Sequence, residues 1–310
     1  YEHIKGQGSI ISMDATIDFL KKHKDGDKPM FTVTWFPSPH GPFKETPVGF
    51  PGGEDLYTGE KNRGYYLEIT LLDQQIGRLR QSLRDLGIAD NTLVWYCSDN
   101  GGLVKETSGG REKKGSIYEG GLRVPAILEW PARYQPKTID TPACATDIYP
   151  TVLQIAGAKV AHQPRLDGID LAKVIAGRQT KRPALGFWHH HTVGQGTWSD
   201  RLIKELMEAQ QAGKANPLPE RLLKNVNLFP KLTRGDYNGH AAWTDWPWKF
   251  HRIQKDGKVT TELYHLVDDP MEATDLSAKE KPRAKRMQKA LEQWQSSVYD
   301  SWEGKDYAAR

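Results

Sequence analysis

The sequence predicts an α/β fold, in which helices flank a mostly parallel central sheet and a small α+β subdomain follows at the C-terminal end. Two observations predict it. Over residues 1–190, strand-like runs of β-branched and aromatic residues alternate with helical patterns, and this order implies parallel strands joined by crossover helices. Near the end of the chain, two further strand-like runs flank Asp256 and Gly257, a dipeptide typical of tight β-hairpins.

The first elements follow from periodicity and from the prolines. The stretch SMDATIDFLKKH places Met13, Ile17 and Leu20 on one helical face, and Ser12 is a suitable N-cap. The run MFTVTWF, residues 30–36, has the composition of a strand. It ends at PSPHGP, where the prolines exclude both a helix and a central strand.

The longest helical pattern comes next, and Gly87 ends it as a C-cap. Its apolar positions are Ile69, Leu72, Ile76, Leu79, Leu83 and Leu86. The segments NTLVWYC, RVPAILEWP and ALGFWHHH then predict strands, and DIYPTVLQIAGA predicts a short helix. We therefore assign residues 1–240 to an α/β domain, in which residues 192–240 form a polar insertion of helices and loops. Residues 241–310 form the α+β subdomain and end in a helix.

Composition excludes several classes of protein. The net charge is only +4 and no long basic block occurs, which argues against a nucleic-acid partner. No apolar run approaches the roughly 18 residues of a transmembrane helix, so no membrane partner is expected. Two cysteines make no disulfide framework, and Cys97 is expected to be a small buried apolar residue.

Polar residues follow three of the predicted strands. His40 lies in SPHGP, Asp99 and Asn100 lie in SDNGG, and Lys113 and Lys114 lie in the loop after that. If the strands are parallel neighbours, these loops meet at one edge of the sheet, where ligands bind in open α/β folds. Carboxylate and amide oxygens suit calcium or magnesium, a lysine suits an anion, and a histidine can donate a proton. Each residue also has a simpler explanation as a turn former or a solvated surface charge.

The order of these motifs resembles that of the formylglycine-dependent sulfatases, the arylsulfatase type of the alkaline phosphatase superfamily. The shared blocks are the Pro-His-x-Pro-like PHGP, YYLEITLLDQQIGRL, SDNG, KGSIYEGGLRVPAILEWP, TDIYPTVLQIAGA, LDGIDL and ELYHLVDDPMEATDL. The resemblance implies that Asp99 and Asn100 bind Ca²⁺, with Mg²⁺ as an alternative. It also implies that Lys114 contacts the sulfate group and that His40 contacts sulfate and protonates the leaving oxygen.

The resemblance covers the C-terminal two-thirds of such proteins. Sulfatases begin with a strand that carries paired aspartates, followed by a Cys- or Ser-x-Pro-x-Arg motif whose first residue becomes the formylglycine nucleophile, and nothing here matches either. We therefore expect the nucleophile in an N-terminal segment that precedes this chain or forms a separate chain. We also expect this chain to be inactive by itself.

The expected activity is hydrolysis of sulfate esters, with a sulfated small molecule or glycan as substrate. The alternatives are a phosphonate or phosphate monoester hydrolase of the same superfamily, and a non-catalytic sugar-binding relative. His189, His190 and His191 are candidates for substrate contact, although a loop or a partly buried histidine cluster explains them equally well. The resemblance also implies a periplasmic or secreted location.

Overall fold

The computed structural model describes residues 6–43, 55–190, 207–214 and 233–306. The α-helices that are described from end to end are α1 Gly8–His23, α2 Arg63–Asp85, α3 Glu119–Leu122, α4 Ile148–Ala156, α5 Leu171–Ile175 and α6 Lys281–Trp302. The strands are β1 Val94–Cys97, β2 Ala126–Glu129, β3 Leu185–His189, β4 Gly239–Asp245, β5 Trp248–Lys255 and β6 Lys258–His265. They divide between two compact units. The first unit is Tyr1–Tyr96 with Ala126–Pro136, and the second is Cys97–Pro125 with Lys137–Arg310.

The first unit is built on the packing of α1 against α2. The predicted apolar face of α1 is correct, because Met13, Ile17 and Leu20 are all buried. The predicted cap is wrong: α1 begins four residues before Ser12, and the side chain of Gln7 accepts hydrogen bonds from the first backbone N–H groups. In α2, the predicted end is confirmed by Gly87, which adopts the left-handed conformation with a φ of 71°.

The predicted strand at residues 30–36 is not formed among the described residues. The segment has no secondary-structure pairing, and alternate side chains point away from the unit: Phe31 is 68% exposed, Val33 58% and Trp35 86%. A strand is defined by its hydrogen-bonded neighbour, and no described residue supplies one here. The sequence pattern was that of a buried strand, but composition alone cannot provide the neighbour.

The mostly parallel central sheet is not confirmed either. β1 and β2 pair in a two-stranded sheet, while β3, β4, β5 and β6 form a four-stranded antiparallel sheet in that order. The prediction failed for β3. In sequence it continues the alternation of strands and helices that predicted a parallel sheet, but in the structure it pairs antiparallel with β4. The chain thus has a mixed α/β fold. The predicted division at residue 240 stays a prediction, and most of the predicted insertion lies outside the described residues.

The four-stranded sheet carries the main core of the second unit. α6 packs on it through Met287 and Leu291, which meet Ala241, Phe250 and Leu263. The predicted hairpin is confirmed: Lys255 pairs with Lys258, and both residues of the intervening turn have positive φ, 51° and 74°. Cys97, at the end of β1, is exposed, so its assignment as a buried residue is wrong.

A second buried feature of this unit is an ion pair beneath α4. Asp147 is fully buried, and its carboxylate accepts hydrogen bonds from Arg182 at 2.7 Å and from the backbone N–H groups of Cys144 and Ile169. A Cβ at Gly168 would lie 2.0 Å from a backbone oxygen, so this residue must be glycine. The blocks TDIYPT and LDGIDL therefore meet at one buried carboxylate. No helix within the described ranges is long and apolar enough to cross a membrane.

Candidate functional site

Two loops of the second unit lie side by side. The aspartate loop (residues 98–102) follows β1, and the lysine loop (residues 111–119) leads into α3. The backbone N–H of Lys114 donates to the oxygen of Gly102 at 3.0 Å, and the N–H of Gly101 donates to the oxygen of Gly121 at 2.9 Å. The structure thus brings the loops of the predicted metal ligands and of the predicted sulfate-binding lysine together.

Glycines make this close approach possible. A Cβ on Gly101 would lie 1.9 Å from the oxygen of Gly120, and a Cβ on Gly120 would lie 2.3 Å from the oxygen of Glu112. Both contacts are with backbone atoms, which cannot rotate away as a flexible side chain can. A side chain at Gly101 would therefore push the aspartate loop away from α3, and one at Gly120 would push α3 away from the lysine loop.

The aspartate loop carries the two predicted metal ligands. Asp99 is exposed and Asn100 half-buried. Within the described ranges no hydrogen bond or ion pair reaches either side chain, while Ser98 steadies the loop by donating to the backbone oxygen of Asn100 at 2.9 Å. One carboxylate and one amide oxygen fit part of a hard-cation shell, which takes six to eight oxygens. No group of three or more candidate ligands occurs in the described part of the chain.

The lysine loop also leaves its charges free to meet an anion. Lys113 and Lys114 are both exposed, and neither forms an ion pair with a described residue. Gly115, which follows them, has a φ of 87°, so the chain turns sharply directly after Lys114. The two lysines differ in their backbone bonds: the N–H of Lys114 is fixed beside Gly102 in the aspartate loop, whereas the oxygen of Lys113 accepts from the N–H of Ser116 within the lysine loop.

His40 belongs to the first unit and is exposed. Its backbone N–H bonds to the oxygen of Pro37, and its Nδ1 lies 2.7 Å from the oxygen of Gly41. The preceding Ser38 is buried and hydrogen bonds to the hydroxyl of Ser9 at 2.8 Å and to the carboxylate of Glu68. The loop of His40 is therefore tied to both α1 and α2.

The three histidines after β3 have different surroundings. His189 is exposed. His190 is only 5% exposed, packs edge-on against Trp188, and has its Nε2 3.4 Å from a carboxylate oxygen of Asp236. His191 lies outside the described residues. Burial of His190 favours a structural role for it, and substrate contact by His189 or His191 stays a prediction.

Comparison with known proteins finds a family match over the first half of the chain. Residues 5–158 match the family model described as Sulfatase. Residues 5–158 belong to the sulfatase family. A curated sulfatase of Formosa agariphila is 32% identical over 195 residues, which are 57% of this chain and 35% of the relative. Mouse steryl-sulfatase is 26% identical over 249 residues, which are 76% of this chain and 37% of the relative.

The sulfatase likeness in structure covers more of the chain. The crystal structure of Ps i-CgsB in complex with k-i-k-neocarrahexaose superposes with a TM-score of 0.69 at 21% identity, over 92% of this chain and 54% of that one. This likeness supports the fold. The chain thus spans about a third of the curated sulfatases named above and about half of this structure.

A buried polar network in the second unit was not predicted from the sequence. His240 Nε2 lies 2.8 Å from His251 Nδ1, and His251 Nε2 lies 2.7 Å from Glu272 Oε1. Both histidine rings pack against Tyr118. The sequence signal was the pair of blocks KGSIYEGG and ELYHLVDDPMEATDL, which supply Tyr118 and Glu272, but nothing in either block reveals that they touch.

The histidines predict a loss of stability in acid. Burial, with the charges of His251 and Lys249, lowers the pKa of His240 to about 3, and burial also lowers the pKa of His251 well below its usual value. Between about pH 6.5 and 3 the unfolded chain therefore binds protons that the folded chain does not. We expect the free energy of unfolding to fall below pH 6.5, by up to about 1.4 kcal/mol per pH unit for each histidine.

Denaturant unfolding at pH 7.5 and at pH 5.0 measures this effect. His240→Gln keeps a hydrogen-bonding side chain but does not titrate, so it should reduce the loss of stability between the two pH values. His162→Gln changes an exposed histidine of the same unit and should leave the loss unchanged. An identical pH dependence in the His240 variant would contradict the assignment.

Proposed function

We propose that the protein containing this chain hydrolyses sulfate esters, and that its substrates are sulfated carbohydrates. The observation that carries the proposal is the pair of backbone hydrogen bonds that holds the aspartate loop beside the lysine loop. The bonds join the loop of Asp99 to that of Lys114, and no described residue forms a hydrogen bond or an ion pair with either charged group. An anionic substrate with a bound cation requires such a carboxylate and such an ammonium group on adjacent loops. The sulfatase family match over residues 5–158 supports the reaction type.

Each residue has a distinct role in this proposal. Asp99 and Asn100 supply oxygen ligands to Ca²⁺, for which Mg²⁺ is an alternative. The cation, when bound, offsets the charge of the sulfate oxygens as a Lewis acid. Lys114 contacts the sulfate group and stabilises the charge that develops on it. His40 holds a proton near the leaving oxygen and donates it as the ester bond breaks. The formylglycine nucleophile is expected in sequence that this chain does not contain.

The carbohydrate substrate rests on the relatives. Ps i-CgsB was crystallised with k-i-k-neocarrahexaose, and a relative from Sus scrofa, 30% identical over 183 residues, is an N-acetylgalactosamine-6-sulfatase. We extend this to a sulfated glycan for the present protein and to a periplasmic or secreted location. We also propose that β1, β2 and residues 30–36 join a larger sheet in the complete protein. The exposed side chains of Phe31, Val33 and Trp35 support this.

Sulfate release is the direct test. The longest form of the protein that contains this chain should be assayed with an aryl sulfate, with sulfated oligosaccharides, and with the matching aryl phosphate and phosphonate. Release from sulfate esters alone supports the proposal. Preference for the phosphate or phosphonate supports the alternative hydrolase, and no turnover of any ester supports a binding protein.

Asp99→Ala should weaken calcium binding at least about tenfold and abolish most activity. Tenfold is the smallest loss of metal affinity expected when a residue that only supports a ligand is removed. The reason is that a hard-cation shell loses a charged ligand. Calorimetric titration with Ca²⁺ and an aryl sulfatase assay measure the two effects. Asp90→Ala, which removes an exposed carboxylate just before β1, is the matched control and should change neither. Full activity of the Asp99 variant would show that the metal ligands lie elsewhere.

A further inference from the structure

The lysine loop is attached at both of its ends to β6 and the segment after it. At its start, Arg111 Nη1 donates to the hydroxyl of Tyr264 at 3.0 Å, to Glu262 Oε2 at 3.3 Å and to the backbone oxygen of Glu272 at 3.2 Å. At its end, the hydroxyl of Tyr118 donates to Glu262 Oε2 at 2.7 Å. The guanidinium of Arg111 also stacks 3.9 Å from the centre of the Tyr118 ring, so the two ends are joined to each other.

Glu272 connects this attachment to the first residue of α3. Its side chain is fully buried, and its Oε2 accepts a hydrogen bond of 2.6 Å from the backbone N–H of Glu119, the first residue of α3. Its Oε1 lies 3.1 Å from Lys249 Nζ and 2.7 Å from His251 Nε2. Lys249, also fully buried, donates to Glu119 Oε1 at 2.7 Å. Glu119 is thus held through both its backbone and its side chain.

The position of α3 sets the position of both functional loops. The N–H of Gly120 donates to the oxygen of Arg111 at 2.8 Å, and the oxygen of Gly121 accepts from Gly101 in the aspartate loop. A Cβ on Gly121 would lie 2.2 Å from the oxygen of Ser116 and 2.8 Å from that of Lys113. Because these are backbone contacts without slack, a displacement of α3 displaces the lysine loop and the aspartate loop with it.

Stability alone does not account for this arrangement. Glu272 has a φ of 51°, which is a left-handed backbone conformation. This conformation is unfavourable for any residue other than glycine, and it persists only where the surrounding structure imposes it. A buried ion pair such as that of Lys249 and Glu272 gains little over apolar side chains of the same volume, because desolvation offsets the attraction. The carboxylate of Glu272 fixes the direction of the backbone N–H of Glu119, which an apolar side chain could not do.

We propose that Glu272, together with Lys249, is a positioning residue of the active site, which fixes α3 and through it holds Lys114 and the aspartate loop in place. The identity of the reaction rests on the proposed function, while the positioning does not. Neither side chain contacts substrate, since both are fully buried. The C-terminal antiparallel sheet is therefore a structural part of the active site.

Hydrogen exchange tests the positioning without any assay of activity. Glu272→Gln should raise the exchange rates of the amides of Gly101, Lys114 and Gly120 by about tenfold or more, because α3 opens more often. Asp275→Asn is the matched control. Asp275 lies in the same segment and accepts from the N–H groups of Leu263 and Ser277, but no hydrogen bond or ion pair joins it to the lysine loop in the described part of the chain. Its exchange rates at the three amides should match those of the parent.

Two outcomes would overturn the positioning role. One is unchanged protection of the three amides in folded Glu272→Gln, and the other is an equal rise in Asp275→Asn. If Glu272→Gln does not fold, Glu119→Gln replaces it as the test variant. The side chain of Glu119 is 17% exposed, and its substitution leaves the contacts of the Glu272 side chain in place. It should raise the same exchange rates by a smaller factor, and no change there would count against the proposal.

A double-mutant cycle tests whether Glu272 acts through Lys114. Glu272→Gln should lower kcat/KM for a sulfate ester by about 10–100-fold, since a displacement of about 1 Å is enough for such a loss. Added to Lys114→Ala, it should cause little further loss, because the group that it positions is already gone. Losses that multiply would overturn the proposal. If no sulfate ester is hydrolysed, the proposed function fails, and the exchange measurements still decide the positioning.

Discussion

Asp147→Ala is expected to lower the free energy of unfolding by about 3–5 kcal/mol, the cost of leaving one member of a buried ion pair alone. The side chain of Arg182 is only 4% exposed and would keep its charge without a partner. The backbone N–H groups of Cys144 and Ile169 would lose their acceptor as well. Denaturant unfolding followed by tryptophan fluorescence measures the change.

The control for this prediction is Asp140→Ala, which removes an exposed carboxylate from the same part of the chain and should change stability by less than about 0.5 kcal/mol. The double variant Asp147→Ala/Arg182→Ala should lose less than the sum of the two single variants, because it leaves no unpaired charge. Additive losses would mean that the two side chains do not interact in the folded protein.

Local signals in the sequence were sufficient where the structure depends on neighbouring residues. The hairpin at Asp256 and Gly257 was correctly predicted because two positive φ values are a requirement of the turn itself. The end of α2 at Gly87 was correct for the same reason. The start of α1 was missed, because Gln7 caps the helix and the sequence favours the commoner capping residue Ser12.

Long-range pairing was not accessible to the same reasoning. β3 has the composition of a central strand, but its neighbour is β4, and nothing in either segment specifies the other. The candidate site shows the same limit. The aspartate loop and the lysine loop were expected to meet because of a parallel sheet, whereas in the structure they are joined by the backbone bonds of Gly101 and Lys114. Glu272 was missed, because its contact with Glu119 joins two residues that are 153 positions apart in the sequence.

The two adjacent lysines give the sharpest test of the site. Lys114→Ala should lower kcat for a sulfate ester about 10²–10³-fold, because one preorganised charge contact on a developing anion is lost. Lys113→Ala removes the same charge from the next residue and should change kcat less than about threefold, as for an ordinary surface substitution. Both side chains are exposed, so neither change should alter the unfolding midpoint.

The expected asymmetry has a structural cause. The N–H of Lys114 is bonded to the oxygen of Gly102, two residues after Asn100, so the backbone of Lys114 cannot move away from the aspartate loop. Lys113 has no such backbone bond to that loop among the described residues. Equal losses from the two substitutions would mean that general positive charge, and not a fixed contact, attracts the substrate. A larger loss from Lys113→Ala would assign the sulfate contact to Lys113. It would also mean that the backbone hydrogen bond of Lys114 does not determine which lysine contacts the substrate.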